Sequence, residues 1–158
     1  MAIKILSAHE EDIPEILELM RAFAEFEKLS EFCTVDEPRL REAMFGDKGF
    51  VEGLVARDNG RAVGYALFYP NFSSFRGQRG FYLEDIYVSP AYQGKRIGEA
   101  MLKAIAASAR SRGFERIDFQ VLDWNTSAIG FYVKLGAVRD DSERHFKFTD
   151  AAFDSLAS

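Results

Sequence analysis

The chain has 158 residues, 47% of them apolar and 28% charged, the balance of one globular domain with an ordinary core. Twenty basic residues stand against twenty-five acidic ones, a formal charge of −5, which argues against a nucleic-acid binder, since that needs a dominant cationic face. One cysteine, Cys33, excludes a disulfide framework, two histidines leave little for a metal site, and no apolar run nears the ~20 residues of a membrane span. Met1 is followed by no signal-peptide pattern, and no repeat or linker interrupts the chain. The expectation is a single cytoplasmic domain over 1–158, with no metal, nucleic-acid or membrane partner.

In chain order, residues 3–6 (IKIL) read as a strand. Ile13, Ile16, Leu17, Met20, Phe23 and Ala24 then recur at helical spacing, predicting a helix from near Glu10 to about Lys28 with Pro14 in its first turn. Thr34 and Glu37 form a capping box for a second helix that Gly46 stops. The period then changes from helix to strand. Residues 50–57 and 61–69, joined at Asp58-Asn59-Gly60, predict a hairpin, and a polar loop over 70–79 leads to a strand at 81–88. A helix over about 97–112, a strand at 115–122, a short helix at 126–135 and a last β segment at 143–148 complete the order. Together they predict an α/β fold, a mixed sheet with helices on both faces, in which the 81–122 strand–helix–strand makes a right-handed parallel crossover.

The segment 89–99, SPAYQGKRIGE, carries the strongest chemical signal. A strand ends, glycines relieve crowding and a helix begins, so unpaired backbone N–H groups and a helix dipole converge beside Lys95 and Arg96. A pyrophosphate is the natural ligand for such a loop. Neither the dinucleotide G-x-G-x-x-G nor the Walker pattern is present.

Q-G-K-R-I-G-E-A-M-L (93–102), preceded by Y-L-E-D-I-Y-V (82–88) and followed by D-W-N-T-S-A-I-G-F-Y-V-K-L-G-A (123–137), resembles the GNAT family of N-acetyltransferases. The similarity spans nearly the whole chain and is greatest with the diamine (spermidine/spermine) and thialysine acetyltransferase branch. One departure is Arg96, which stands where the family's motif has its first glycine. The resemblance implies the splayed GNAT acyl-CoA fold, acetyl-CoA as co-substrate, a small amine as acceptor and a homodimer to which residues 137–158 contribute. It implies that the pantetheine arm lies between strands 81–88 and 115–122 along Ile86, Tyr87 and Val88. The pyrophosphate would then sit over Gln93, Gly94, Lys95, Arg96, Ile97, Gly98 and Glu99, with Asn125, Phe131, Tyr132 and Lys134 on the far side.

A phenol can protonate a departing thiolate, so Tyr132 is the candidate acid. Glu84 and Asp85 interrupt an apolar strand, and strict alternation sends their side chains to opposite faces of the sheet. The resemblance nominates Glu84 as acceptor of the amine proton, directly or through water, and Asp85 as holder of the cationic chain. It also places Glu25, Phe26 and Glu27 near the substrate. Trp124 reads equally as a pocket wall for an alkyl amine or as plain core. No residue reads as an activated nucleophile, so direct attack in a ternary complex is expected. The rival readings are a GNAT enzyme acting on an amino acid, an aminoglycoside or a protein amine, and an acyl-CoA-binding module without catalysis.

Overall fold

A computed structural model of the protein describes residues 2–158. The chain forms two compact units, one ending at Gln120 and the other running from Val121 to Ser158.

The first unit is built on five strands, β1 (Ile3–Ser7), β2 (Glu52–Asp58), β3 (Arg61–Ser73), β4 (Gln78–Val88) and β5 (Arg116–Asp118). They lie in the sheet in sequence order, antiparallel from β1 to β4 and parallel between β4 and β5. Its helices are α1 (Ile13–Phe26), α2 (Glu37–Phe45) and α3 (Ile97–Ser111). Alternation along the strands feeds two cores. Val55, Tyr65, Leu67 and Tyr87 pack on Ile13, Ile16 and Leu17 of α1 and Leu40 and Met44 of α2. Ala56, Val63, Ala66, Phe68, Phe81 and Leu83 pack on Ile97, Met101, Ile105 and Ala109 of α3. Helices therefore cover both faces, and the 81–122 segment crosses over between parallel strands, as the pattern predicts.

Four boundaries differ from the sequence expectation. A single 3₁₀ turn, Glu10–Asp12, precedes α1, so the α-helix proper begins at Ile13 with Pro14 in its first turn. The cap of α2 is Asp36, whose carboxylate accepts the Arg39 N–H at 2.9 Å, in place of Thr34. The expected 70–79 loop shrinks to a turn, because β3 and β4 pair from Ser73↔Gln78 onward. Pro70 is tolerated inside β3 because β2 pairing ends at Phe68, leaving that edge of β3 without a donor to miss. Strand 115–122 is only three residues long. Glycine is required in β4 opposite its first residue, since a Cβ on Gly80 would collide with the carbonyl of Arg116.

The second unit holds α4 (Thr126–Lys134) and α5 (Asp150–Ala157). Asn125 caps α4 by accepting the Ala128 N–H at 3.2 Å. The β segment expected at 143–148 does not form: those residues are irregular, Phe146 and Phe148 are exposed, and α5 follows. An alternating pattern becomes a strand only beside a hydrogen-bonding neighbour, and the described residues supply none there.

Candidate active site

Two features of β4 set the geometry. The first is an open edge. β5 pairs with β4 only through Gly80↔Arg116, Phe81↔Ile117 and Tyr82↔Asp118, whereas β4 continues to Val88. Beyond Tyr82, the backbone of Leu83–Val88 has no strand on that side among the described residues. Ile86 and Val88 pack their side chains toward the α3 core. The open edge runs into the segment before α3. Gln93 donates from Nε2 to the Val88 carbonyl at 3.0 Å, Gly94 has φ +78°, and Arg96 has φ +62° as the residue before Ile97. Arg96 thus adopts the left-handed backbone that the family's glycine would take without strain, at a typical cost of about 1–2 kcal/mol. The first-turn N–H groups of α3, at Ile97, Gly98 and Glu99, have no carbonyl within the helix to receive them. With Lys95 and Arg96 beside them, this end of α3 suits a diphosphate. The side chains of Gln93, Lys95 and Arg96 are exposed, and Ile97 is buried.

The second feature is a bulge. Leu67 pairs with Asp85, but Phe68 pairs with Leu83, so Glu84 is an extra residue in β4. Alternation fails at that residue. Leu83 faces the α3 core, while Glu84 and Asp85 both face α1 and α2, which corrects the expectation that they face opposite sides. Tyr65 donates its hydroxyl to Asp85 Oδ2 at 2.8 Å, and Tyr69 donates to Glu84 Oε2 at 3.2 Å. Tyr69 stacks on Tyr82, with ring centroids 5.5 Å apart. Glu84, Tyr69, Leu67, Leu40 and Phe50 line a shallow apolar depression of about 380 Å³.

The electrostatics of this face favour a cation. Burial raises the Asp85 carboxyl to about 6 even though the Tyr65 hydrogen bond opposes the rise, and the Glu84 charge adds to it. Burial, then the Asp85 charge, also raises Glu27, which is half-buried after the end of α1. Burial and Glu84 push Tyr69 up to about 12, and burial and Asp85 push Tyr65 up as well. The structure therefore brings Glu27, Glu84 and Asp85 into one electronegative surface. Glu25 and Phe26 are exposed at the helix end, with the Glu25 charge felt at Tyr87. Tyr65 and Tyr69 were missed from sequence, because a tyrosine in an apolar strand reads as core. Only the β3–β4 register brings them to their carboxylates.

In the second unit, Tyr132 is half-buried on α4 and its ring meets Phe131 edge-on at 5.1 Å. Asn125 is committed to the helix cap, Lys134 lies in the last turn, and Trp124 is half exposed.

An open mixed sheet with a free strand edge leading to the start of a helix, and carboxylates across the sheet, suits an acyl-CoA-dependent acyltransferase. The chain belongs to the acetyltransferase (GNAT) family, whose model matches residues 13–137, and it is an N-acetyltransferase that uses acetyl-CoA as co-substrate. It is 38% identical to a thialysine N-epsilon-acetyltransferase of Bos taurus, over 98% of this chain and 97% of that protein. It is 33% identical to a spermidine/spermine N(1)-acetyltransferase-like protein of Homo sapiens, over 89% of this chain and 21% of that protein. An integron cassette protein from the mobile metagenome of V. cholerae shares the fold, with a TM-score of 0.80 at 21% identity over 99% and 98% of the two chains. Among the described residues, no helix is long and apolar enough to cross a membrane.

Proposed function

We propose that the acceptor is a small cationic primary amine of the diamine, polyamine or lysine-like kind. The observation that carries this reading is the bulge in β4, which turns Glu84 and Asp85 to one face, where Glu27 joins them. Burial makes the Asp85 charge costly, and the groups acting on it are a hydroxyl and another carboxylate, neither of them cationic. An ammonium ion would supply the missing positive charge. The names of the thialysine and spermidine/spermine relatives support the same class.

In this reading Asp85 and Glu27 hold the cation, while exposed Glu84 takes the proton of the reacting amine through water and passes it to solvent. The freed nitrogen attacks the acetyl carbonyl, whose oxygen is polarised by N–H groups along the open edge of β4. As the new C–N bond forms, the C–S bond breaks, and Tyr132 delivers a proton to the departing sulfur. Gln93, Gly94, Lys95, Arg96, Ile97, Gly98 and Glu99 hold the diphosphate, Ile86, Tyr87 and Val88 hold the pantetheine arm, and Asn125, Phe131 and Lys134 line the coenzyme. Trp124 and Phe26 contact the alkyl chain, and Glu25 adds to the attraction for it. The enzyme works in the cytoplasm as a homodimer, a state supported by the exposed Val138, Phe146, Phe148 and Leu156.

The test is thiol release from acetyl-CoA with putrescine, spermidine, thialysine, lysine, an aminoglycoside and a basic peptide. A single small polycation should stand out. Glu84→Gln should lower kcat by about 10²-fold, and Tyr132→Phe should do so by at least tenfold, with little change in either KM. Equal turnover across the panel, or unchanged kcat in both variants, would overturn the reading.

A further inference from the structure

The segment that leads into α3 is held by an attachment outside the cofactor motif. Tyr92 closes a 3₁₀ turn, Pro90–Tyr92, immediately before Gln93 and Gly94. Its hydroxyl donates to Asp58 Oδ2 at 2.8 Å, thirty-four residues away at the end of β2, where the chain turns into β3. The other oxygen of that carboxylate, Asp58 Oδ1, is buried without a hydrogen-bond partner. An orphaned buried carboxylate oxygen is expensive and calls for a reason. The Lys95 ammonium lies over the Tyr92 ring, 5.4 Å from its centroid.

The turn that carries Asp58 is itself braced. Arg57 donates through Nη1 to the Gly60 carbonyl at 2.7 Å, and through Nη2 to Asp12 at 2.6 Å and Glu15 at 2.9 Å. Asn59 and Gly60 both take positive φ, a tight two-residue connection with little slack. A chain of polar contacts thus runs from the start of α1 through Arg57 and the hairpin turn to Asp58 and Tyr92. It ends at Lys95 and the left-handed Gly94 and Arg96. That loop has no strand neighbour, and Arg96 occupies a conformation an arginine does not choose unaided. Something outside the loop must hold it.

We propose that Tyr92 and Asp58 are positioning residues for coenzyme binding. Their hydrogen bond fixes the diphosphate-receiving loop and, through the Tyr92 ring, the place of the Lys95 ammonium. The pair touches no reacting atom and acts on the coenzyme through the loop. This rests on the reading of 93–99 as the diphosphate site.

The experiment measures the dissociation constant for CoA by calorimetry and both Michaelis constants, in the full chain. Tyr92→Phe removes only the hydroxyl, and Asp58→Ala removes the acceptor. Each should weaken CoA binding and raise the KM for acetyl-CoA about five- to tenfold, leaving the KM for the amine in place. Asp58→Asn keeps a carbonyl oxygen for the Tyr92 hydroxyl and should restore most of the affinity. The double variant Tyr92→Phe/Asp58→Ala should lose no more than either single change. A fall in melting temperature with unchanged CoA affinity would make the pair merely structural and overturn the proposal. Lys95→Ala separates the two levels. If it weakens CoA binding while Tyr92→Phe does not, the loop binds diphosphate without the brace and the proposal falls alone. If neither variant has an effect, the reading of the loop has failed with it.

Discussion

Replacing Asp85 by asparagine should stabilise the protein while impairing it. The carboxyl rises from an ordinary 3.8 to about 6, chiefly because burial penalises its charge. At 1.36 kcal/mol per pH unit, holding the group ionised in the folded state costs about 3 kcal/mol. Below pH 3.8 the group is protonated in both folded and unfolded chains, so no penalty exists. As pH rises toward 6 the unfolded chain ionises first, stability falls, and the full loss is present by pH 8. Asparagine never ionises, and its carbonyl oxygen can still accept from Tyr65. Its amide finds no better partner than the carboxylate did, which takes back about 1 kcal/mol. Urea unfolding at pH 4.5 and pH 8 should show the variant near wild type at the lower pH and about 2 kcal/mol more stable at the higher. The KM for the amine should rise at least tenfold, and the wild-type kcat/KM for the amine should fall as pH drops below 6. A variant that is no more stable at pH 8 would refute the claim that Asp85 carries an unbalanced charge.

Three further outcomes follow from the same geometry. Arg96→Gly removes the left-handed strain but loosens the unfolded chain, so chemical denaturation should show a net gain of about 0.5 kcal/mol. Arg57→Met should cost about 2 kcal/mol at pH 7, because it strips Asp12 and Glu15 of their shared guanidinium. Burial works against the charge on Asp12, but the His9 amide and Arg57 hold its carboxyl low, and the Arg57 hydrogen bond does the same for Glu15. That stability is present above pH 4.5 and is lost as pH falls through the depressed values, so the gap between Arg57→Met and wild type should close in acid unfolding curves. Gly80→Val should abolish the docking of β5, read as a loss of soluble protein or a fall in melting temperature of more than 10 °C, since its Cβ has no room beside Arg116.

The fold was legible wherever side-chain period and chain punctuation agreed. Ile97, Met101, Ile105 and Ala109 mark one stripe of α3, and Gly113, at φ +75°, closes it as the sequence suggests. The continuous apolar run over 62–69 gave a central strand because both faces are covered. The strand–turn–helix connection from Val88 to Ile97 was equally plain, since its pattern is local. Failures came where a distant partner decides. Residues 143–148 have the alternation of a strand and no strand beside them, and Pro70 looked like a loop until the end of β2 left its edge free. Asp36 outcompeted Thr34 for the α2 cap because its carboxylate stands next to the first turn. The acidic face was half legible. The residues Glu27, Glu84 and Asp85 were visible, but a bulge is a mismatch between two strands and leaves no mark on either alone.

That mismatch also bears on how such an enzyme can change. The extra residue at Glu84 is a matter of chain length in β4 relative to β3, so no side-chain replacement removes it. Point substitutions at 84 and 85 therefore change the side chains displayed on that face while the register of the sheet stays as it is. Deleting Glu84 would instead remove the bulge: Leu83 and Asp85 would then alternate regularly, each still facing the side it faces now, and the acidic face would lose one carboxylate. If Glu84 and Asp85 meet the acceptor as proposed, acceptor preference is within reach of single-base changes, whereas the number of residues crowded onto that face changes only by an insertion or deletion.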